Sequence, residues 1–121
     1  MPTSTNSKQY DLEDRTLKFA REIREFVKKL PKTAANFEDI KQLVRSSGSI
    51  GANYIEANES LGKKDFVLRV RISRKEAKEA RYWLKLIDSG SNTDLQKEQS
   101  RLDQEATELL KILSSIISKS I

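Results

Sequence analysis

The chain is short, basic and free of cysteine and histidine, and these properties exclude several classes of function. Its 121 residues carry 23 Lys and Arg against 18 Asp and Glu, which favours polyanionic partners. Without Cys or His, the chain lacks disulfides, thiol nucleophiles, the commonest metal ligand and the usual general base at neutral pH.

Length and hydropathy favour one helical domain in the cytoplasm. A chain of 121 residues is sufficient for a single hydrophobic core. Only four Gly and two Pro occur, which disfavours a turn-rich β fold. Neither a signal peptide nor an apolar run long enough to span a bilayer is visible, so we expect a cytoplasmic protein.

The first amphipathic segment follows a polar N-terminal arm. Residues 1–9 are rich in Ser, Thr and Asn and lack periodicity, which predicts a frayed or disordered arm before a bundle domain over residues 10–121. The first helix is predicted to start near Asp11 and to end at Pro31. Its apolar stripe is formed by Leu12, Thr16, Phe19, Ile23, Phe26 and Leu30.

The second predicted helix begins at an Asn36 cap and has an unusual centre. Its stripe is formed by Phe37, Ile40, Val44, Ser47, Gly51, Tyr54 and Asn58. Residues 46–52 include two Gly, each of which costs about 1 kcal/mol relative to Ala inside a helix. We therefore expect another helix to approach closely at this point.

The third and fourth helices complete the pattern. The third is predicted over residues 63–88 and stops at Gly90, whereas the fourth begins at a capping box of Thr93 and Gln96. The inward positions are Phe66, Val70, Ser73, Ala77, Ala80, Leu84 and Ile87, and then Leu95, Gln99, Leu102, Ala106, Leu109, Leu113 and Ile116. Four such stripes joined by short turns predict an all-α, antiparallel up-and-down four-helix bundle.

The excess positive charge is concentrated in the third helix. Residues 63–90 hold nine Lys and Arg against four Asp and Glu. The side opposite the apolar stripe carries a set that we call the cationic face: Lys64, Arg71, Lys75, Lys78, Tyr82 and Lys85. This combination is typical of a nucleic-acid-binding surface, because the cations displace condensed counterions and the aromatic ring can stack on a base. The alternative is an ordinary solvated outer face.

Apolar residues outside the stripes predict a second surface. They are Leu43, Ile50 and Ala57 in the second helix, and Ile72, Trp83 and Leu86 in the third. Such residues either thicken the core or form a subunit interface, and we predict Ile72, Trp83 and Leu86 as an oligomer interface. The alternative for Trp83 is that it covers the core of the monomer.

Polar residues near the middle of the two central helices predict a structural network. Asn53 and Glu56 precede Glu76 and Glu79 on the facing helix, where hydrogen bonds and ion pairs would fix the register. A dinuclear metal centre would use Glu-x-x-His pairs, and His is absent. We expect no metal, cofactor or catalysis. A nuclease or metalloenzyme that uses Glu56, Glu76 and Glu79 is a third, weaker alternative.

Three motifs resemble a known family. They are Arg45, Ser49, Ile50, Ala52, Asn53 and Glu56, then Lys64, Asp65 and Phe66, then Glu76, Ala77, Glu79, Tyr82, Trp83 and Leu84. Over residues 10–90 the chain thereby resembles the four-helix bundle proteins encoded in intervening sequences of bacterial 23S ribosomal RNA. It departs from them at Gly51, where the family often has Pro, and at Ala57, where it often has Gly.

This resemblance implies a homo-oligomer, specifically a pentamer, and kinship with the accessory proteins of diversity-generating retroelements. It implies no catalysis. Our first hypothesis is therefore a non-enzymatic oligomeric protein that binds RNA or DNA through the cationic face. The alternative is a protein–protein interaction or assembly scaffold without direct nucleic-acid contact.

Overall fold

The computed structural model describes residues 4–121, with side chains from Leu12 onward, and these residues form four helices. The elements are α1 (Ser4–Val27), α2 (Ala34–Asn58), α3 (Lys63–Leu86) and α4 (Thr93–Ser120). Each helix packs against the next in the chain, and α4 contacts α1 to close the ring. The predicted all-α four-helix bundle is confirmed. Within the described part of the chain, no helix is long and apolar enough to cross a membrane.

The apolar stripe of α1 lies in the core as predicted. All six of its members, from Leu12 to Leu30, are buried. The helix itself begins at Ser4, before the predicted start near Asp11. Residues 1–3 and the side chains of residues 4–11 lie outside the described set, so the N-terminal arm stays a prediction.

The core is wider on α2 than one stripe allows. Leu43, Ile50 and Ala57 were placed outside the stripe, yet each is at most 1% exposed. Phe37 was placed inside the stripe, and it is 67% exposed, so its assignment was wrong. The reason is that α2 packs against both α1 and α3, and a helix between two neighbours buries a broad arc.

The glycine-rich centre of α2 is confirmed as a site of close helix approach. A Cβ built on Gly51 would lie 2.7 Å from the Oγ1 and 3.1 Å from the Cβ of Thr16 on α1. On the other side of α2, the Ser73 hydroxyl of α3 donates a hydrogen bond of 2.7 Å to the Ile50 carbonyl. Gly51 therefore lowers the helix propensity of α2 but allows α1 to pack closely against it, while α3 contacts α2 on the other side.

Asn36 is a buried clasp between two loops, and its prediction as the α2 cap was wrong. Thr33 is the N-cap, because its side chain accepts a hydrogen bond from the Asn36 backbone N–H. The Asn36 side-chain amide donates to the carbonyls of Pro31 and Asp88 at 3.0 and 2.8 Å. Its carbonyl oxygen accepts from the Asp88 N–H at 3.0 Å. The α1–α2 loop is thus joined to the α3–α4 loop.

The α3–α4 connection also differs from the prediction. α3 ends at Leu86, and Gly90 adopts a positive φ of 71°, which glycine allows without strain. Asn92 caps α4, because its side chain accepts a hydrogen bond of 3.1 Å from the Leu95 N–H. The predicted capping box of Thr93 and Gln96 was therefore wrong, one residue too late.

Ion pairs supplement the contact between α1 and α4. The Arg15 guanidinium donates two hydrogen bonds to the Glu105 carboxylate, at 2.7 and 2.9 Å. This bonding to Glu105 raises the pKa of Arg15. Arg101 of α4 pairs with Glu22 of α1, and Lys29, two residues after the end of α1, pairs with Glu98 of α4. Bidentate and repeated pairs of this kind fix the register of two helices.

Candidate nucleic-acid surface

All six residues of the cationic face lie on the outside of α3. Its five cations are exposed, and the Tyr82 side chain is 58% exposed. Steps of seven, four and three residues place all six on one stripe of a 24-residue helix, which is about 36 Å long. The opposite side of α3 contributes Val70, Ala77 and Leu84 to the core. The direction of the face is therefore set by burial of the apolar stripe.

The carboxylates of α3 are held by cations outside the cationic face. Asp65 pairs with Arg69 one turn later, at 3.8 Å, and both Glu76 and Glu79 pair with Arg45 of α2. None of the ion pairs among the described side chains includes a cation of the cationic face. The positive charge of the stripe is consequently not neutralised by contact with these carboxylates.

Two of the four residues predicted for the polar network, Glu76 and Glu79, meet Arg45, which was not among the predicted members. The Arg45 guanidinium donates to Glu79 and, at 3.5 Å, to Glu76 Oε2. It also lies 3.2 Å from Glu76 Oε1, a buried oxygen that accepts no hydrogen bond. The Trp83 indole N–H donates to Glu79 at 2.9 Å. The bond from Trp83, followed by that from Arg45, holds the pKa of Glu79 below its usual value. The bond to Glu79 likewise raises the pKa of Arg45.

Asn53 and Glu56 take no part in this cluster. The Asn53 side chain donates to the Ser49 carbonyl of its own helix at 2.9 Å, and Glu56 is exposed. No group of three carboxylates that could hold a metal ion occurs among the described side chains. The three carboxylates of the nuclease alternative therefore do not converge, since Glu76 and Glu79 are bound to Arg45 while Glu56 points to solvent.

The three predicted interface residues have different surroundings. Trp83 is half-buried against the core, Ile72 has intermediate exposure, and Leu86 is 51% exposed. The Trp83 ring also meets the Tyr82 ring edge-on, with centroids 5.0 Å apart and planes at 80°. Trp83 thus covers the core, as in its alternative interpretation, and supports the neighbouring Tyr82.

Two exposed apolar positions on α3 adjoin the cationic stripe. Leu68 is 54% exposed and lies between Lys64 and Arg71 in the same spacing. It was not predicted as part of the surface because its side chain carries neither a charge nor an aromatic ring. Leu86 follows Tyr82 by four residues and so lies beside it on the helix. The spacing of four and three residues from Lys64 to Leu68 and Arg71 is the sequence signal that predicts Leu68 on this face.

A further surface, between α1 and α2, was not predicted. It is a groove of about 450 Å³ whose apolar lining includes Leu17, Ala20, Ala52 and Ile55. Leu17 and Ile55 are 49% and 46% exposed. Both lie outside the stripes of their helices, which was the only sequence signal for this groove.

The fold and the cationic face define a four-helix bundle protein whose third helix presents positive charge to solvent. A family model for 23S rRNA-intervening sequence proteins matches residues 8–115, and the chain belongs to that family. It is similar to the crystal structure of a protein of unknown function from the S23 ribosomal protein family of Bacteroides thetaiotaomicron. The two share 34% identity over 88% of this chain and 97% of that one, with a TM-score of 0.76. A search of curated proteins found no match.

Proposed function

We propose that this is a non-enzymatic, homo-oligomeric protein that binds RNA or DNA through the cationic face of α3. The observation that carries the proposal is that the cationic face has five exposed cations, none of which forms an ion pair with a described side chain. Unpaired cations in a row attract a phosphate backbone and release its condensed counterions on contact.

The number of cations sets the expected dependence on salt. If all five contact phosphates, the logarithm of the association constant should fall with the logarithm of salt concentration with a slope of about −3.5 for a single strand and about −4.5 for a DNA duplex. Fluorescence anisotropy with labelled oligonucleotides over a range of salt concentrations measures this slope. An absence of binding at low salt would refute the proposal.

A pair of charge reversals tests the location of the surface. Arg71→Glu with Lys75→Glu places two carboxylates in the middle of the stripe and should abolish binding. The matched control is Lys97→Glu with Lys111→Glu, because both residues are exposed on α4 and the change in net charge is the same. Equal losses in the two double variants would contradict a specific role for α3.

The oligomeric part of the proposal, a pentamer, derives from the family resemblance. It is supported by apolar side chains away from the cationic face that the bundle leaves exposed, among them Phe37 and Ile55 on α2. Kinship with accessory proteins of diversity-generating retroelements, and a location in the cytoplasm, belong to the same proposal. Light scattering measures the solution mass, and a monomeric mass at every protein concentration would refute the oligomeric part of the proposal.

The second candidate function is an assembly scaffold without nucleic-acid contact. The α1–α2 groove favours it, because half-exposed Leu17 and Ile55 flank a cleft lined by small residues. Under this alternative, Ile55→Glu should reduce the solution mass or abolish partner binding, whereas reversal of Arg71 and Lys75 should change neither. An absorbance ratio typical of pure protein after purification without nuclease would further favour the scaffold.

A further inference from the structure

The cationic face is flanked by exposed apolar side chains near both of its ends. Leu68 and Tyr82 occupy the same stripe as the cations, and Leu86 lies beside Tyr82, with all three side chains at least half exposed. From Leu68 to Leu86 the helix rises about 27 Å. A ligand that covers this stripe therefore meets apolar surface near both ends as well as positive charge.

The Tyr82 ring is held in a defined orientation. It packs edge-on against Trp83, whose indole N–H is bonded to Glu79, and Glu79 is held in turn by Arg45. Trp83 also packs against the core of the bundle. A ring fixed in this way loses little conformational freedom when a flat ligand stacks on its exposed side.

A duplex satisfies the cations of this stripe but not its apolar side chains. In a double helix the bases are stacked on one another, and A-form RNA has a major groove too narrow for side chains to read. Leu68, Tyr82 and Leu86 would then face phosphates or water. An unpaired strand offers phosphates to the cations and free base surfaces to the apolar side chains.

We infer that the cationic face binds a single-stranded polynucleotide, with at least one base stacked on Tyr82, in preference to a duplex. This inference rests on the proposed function of the same face. The cations give affinity for any strand, because they contact phosphates. The apolar side chains discriminate between paired and unpaired strands, because only unpaired bases are free to cover them.

The test compares four labelled probes of one sequence, about 12 nucleotides long, which is within the range covered by single-strand binding domains. They are an RNA strand, a DNA strand, and each strand annealed to its complement. By fluorescence anisotropy at low salt, the RNA strand, the DNA strand or both should bind about tenfold more tightly than the corresponding duplex. Tighter or equal binding of both duplexes would overturn the inference.

Variants of Tyr82 test the stacking directly. Tyr82→Ala should weaken single-strand binding about tenfold and leave duplex binding unchanged, whereas Tyr82→Phe should retain single-strand affinity. Leu17→Ala is the control, because Leu17 is an exposed apolar residue on α1, away from the face. Unchanged single-strand affinity in Tyr82→Ala would overturn the stacking role.

A spectroscopic measurement on the unmodified protein removes any dependence on how the variants fold. Trp83 is the only Trp of the chain and its ring centroid lies 5.0 Å from that of Tyr82. A base stacked there should change the Trp83 emission when a single strand binds, and duplex binding should not. Equal emission changes for both would refute the inference while the proposed function stands. If no probe binds at all, the proposed function itself fails.

Discussion

Replacement of Gly51 by Ala tests the close crossing of α1 and α2. The added Cβ would lie 2.7 Å from Thr16 Oγ1 and 3.1 Å from Thr16 Cβ, so the two helices must separate or the buried Thr16 must move. Overpacking of this kind costs about 1–3 kcal/mol, while Ala gains about 1 kcal/mol of helix propensity over Gly. We expect Gly51→Ala to lower the free energy of unfolding by about 1 kcal/mol, the midpoint of that difference.

Gly48 is a matched control one turn earlier on the same helix. A Cβ at Gly48 would meet only the flexible end of Arg24, with its nearest atom at 3.5 Å, which is an ordinary contact. Since Ala has a higher helix propensity than Gly, Gly48→Ala should raise the free energy of unfolding by about 0.5–1 kcal/mol. Urea denaturation followed by circular dichroism measures both values, and their opposite signs are the diagnostic result.

A double-mutant cycle assigns the effect to Thr16. Thr16→Ala removes the Oγ1 atom that makes the shortest contact, so combination with Gly51→Ala should recover part of the lost stability. Strict additivity of the two changes would show that Thr16 and Gly51 are not in contact. Stabilisation by Gly51→Ala alone, equal to that of Gly48→Ala, would refute the close crossing.

Two further predictions concern polar contacts. Asn36→Ala removes three hydrogen bonds between the buried Asn36 side chain and the backbone of Pro31 and Asp88, and should lower the free energy of unfolding by about 2–4 kcal/mol in urea denaturation. Loss of the exposed Asn92 cap should cost only about 1 kcal/mol. Glu79→Gln should cost less than about 1 kcal/mol near pH 7, because its pair with Arg45 is partly solvated. Since Trp83 and Arg45 lower the folded-state pKa of Glu79, its stabilisation is present above the unfolded pKa and lost as pH falls through the folded one. Denaturation at acid pH should therefore give the same stability for Glu79→Gln and the wild type, and a constant difference would contradict this reasoning.

The sequence predicted those features that depend on periodicity. Phe19 and Leu84 were placed in the core because their helices repeat apolar residues every three or four positions, and Lys75 was placed outside as the complement of that stripe. Close contact at Gly51 was predicted from the cost of glycine in a helix. In each case local chemistry and the fold favour the same arrangement.

Features that depend on tertiary contacts were not predictable in this way. Asn36 is a good cap by residue type, but Thr33 is another, and the Asp88 backbone that recruits Asn36 is distant in sequence. Arg45 was not assigned to the network around Glu79, because periodicity does not specify which residues of two helices meet. The α1–α2 groove likewise depends on the separation of two helices, which a single stripe does not encode.

The clasp at Asn36 fastens one end of the bundle, and the α2–α3 loop lies at the other end. Hydrogen bonds tie the two loops together at the fastened end, whereas at the other end the α2–α3 loop carries a fully exposed Leu61. The α1–α2 and α3–α4 hairpins would thus keep their relative alignment even if the chain were cut at this loop. The two hairpins are held together by this clasp and by the packing of α2 against α3 and of α1 against α4, so we expect a split at Leu61 to yield fragments that reassociate.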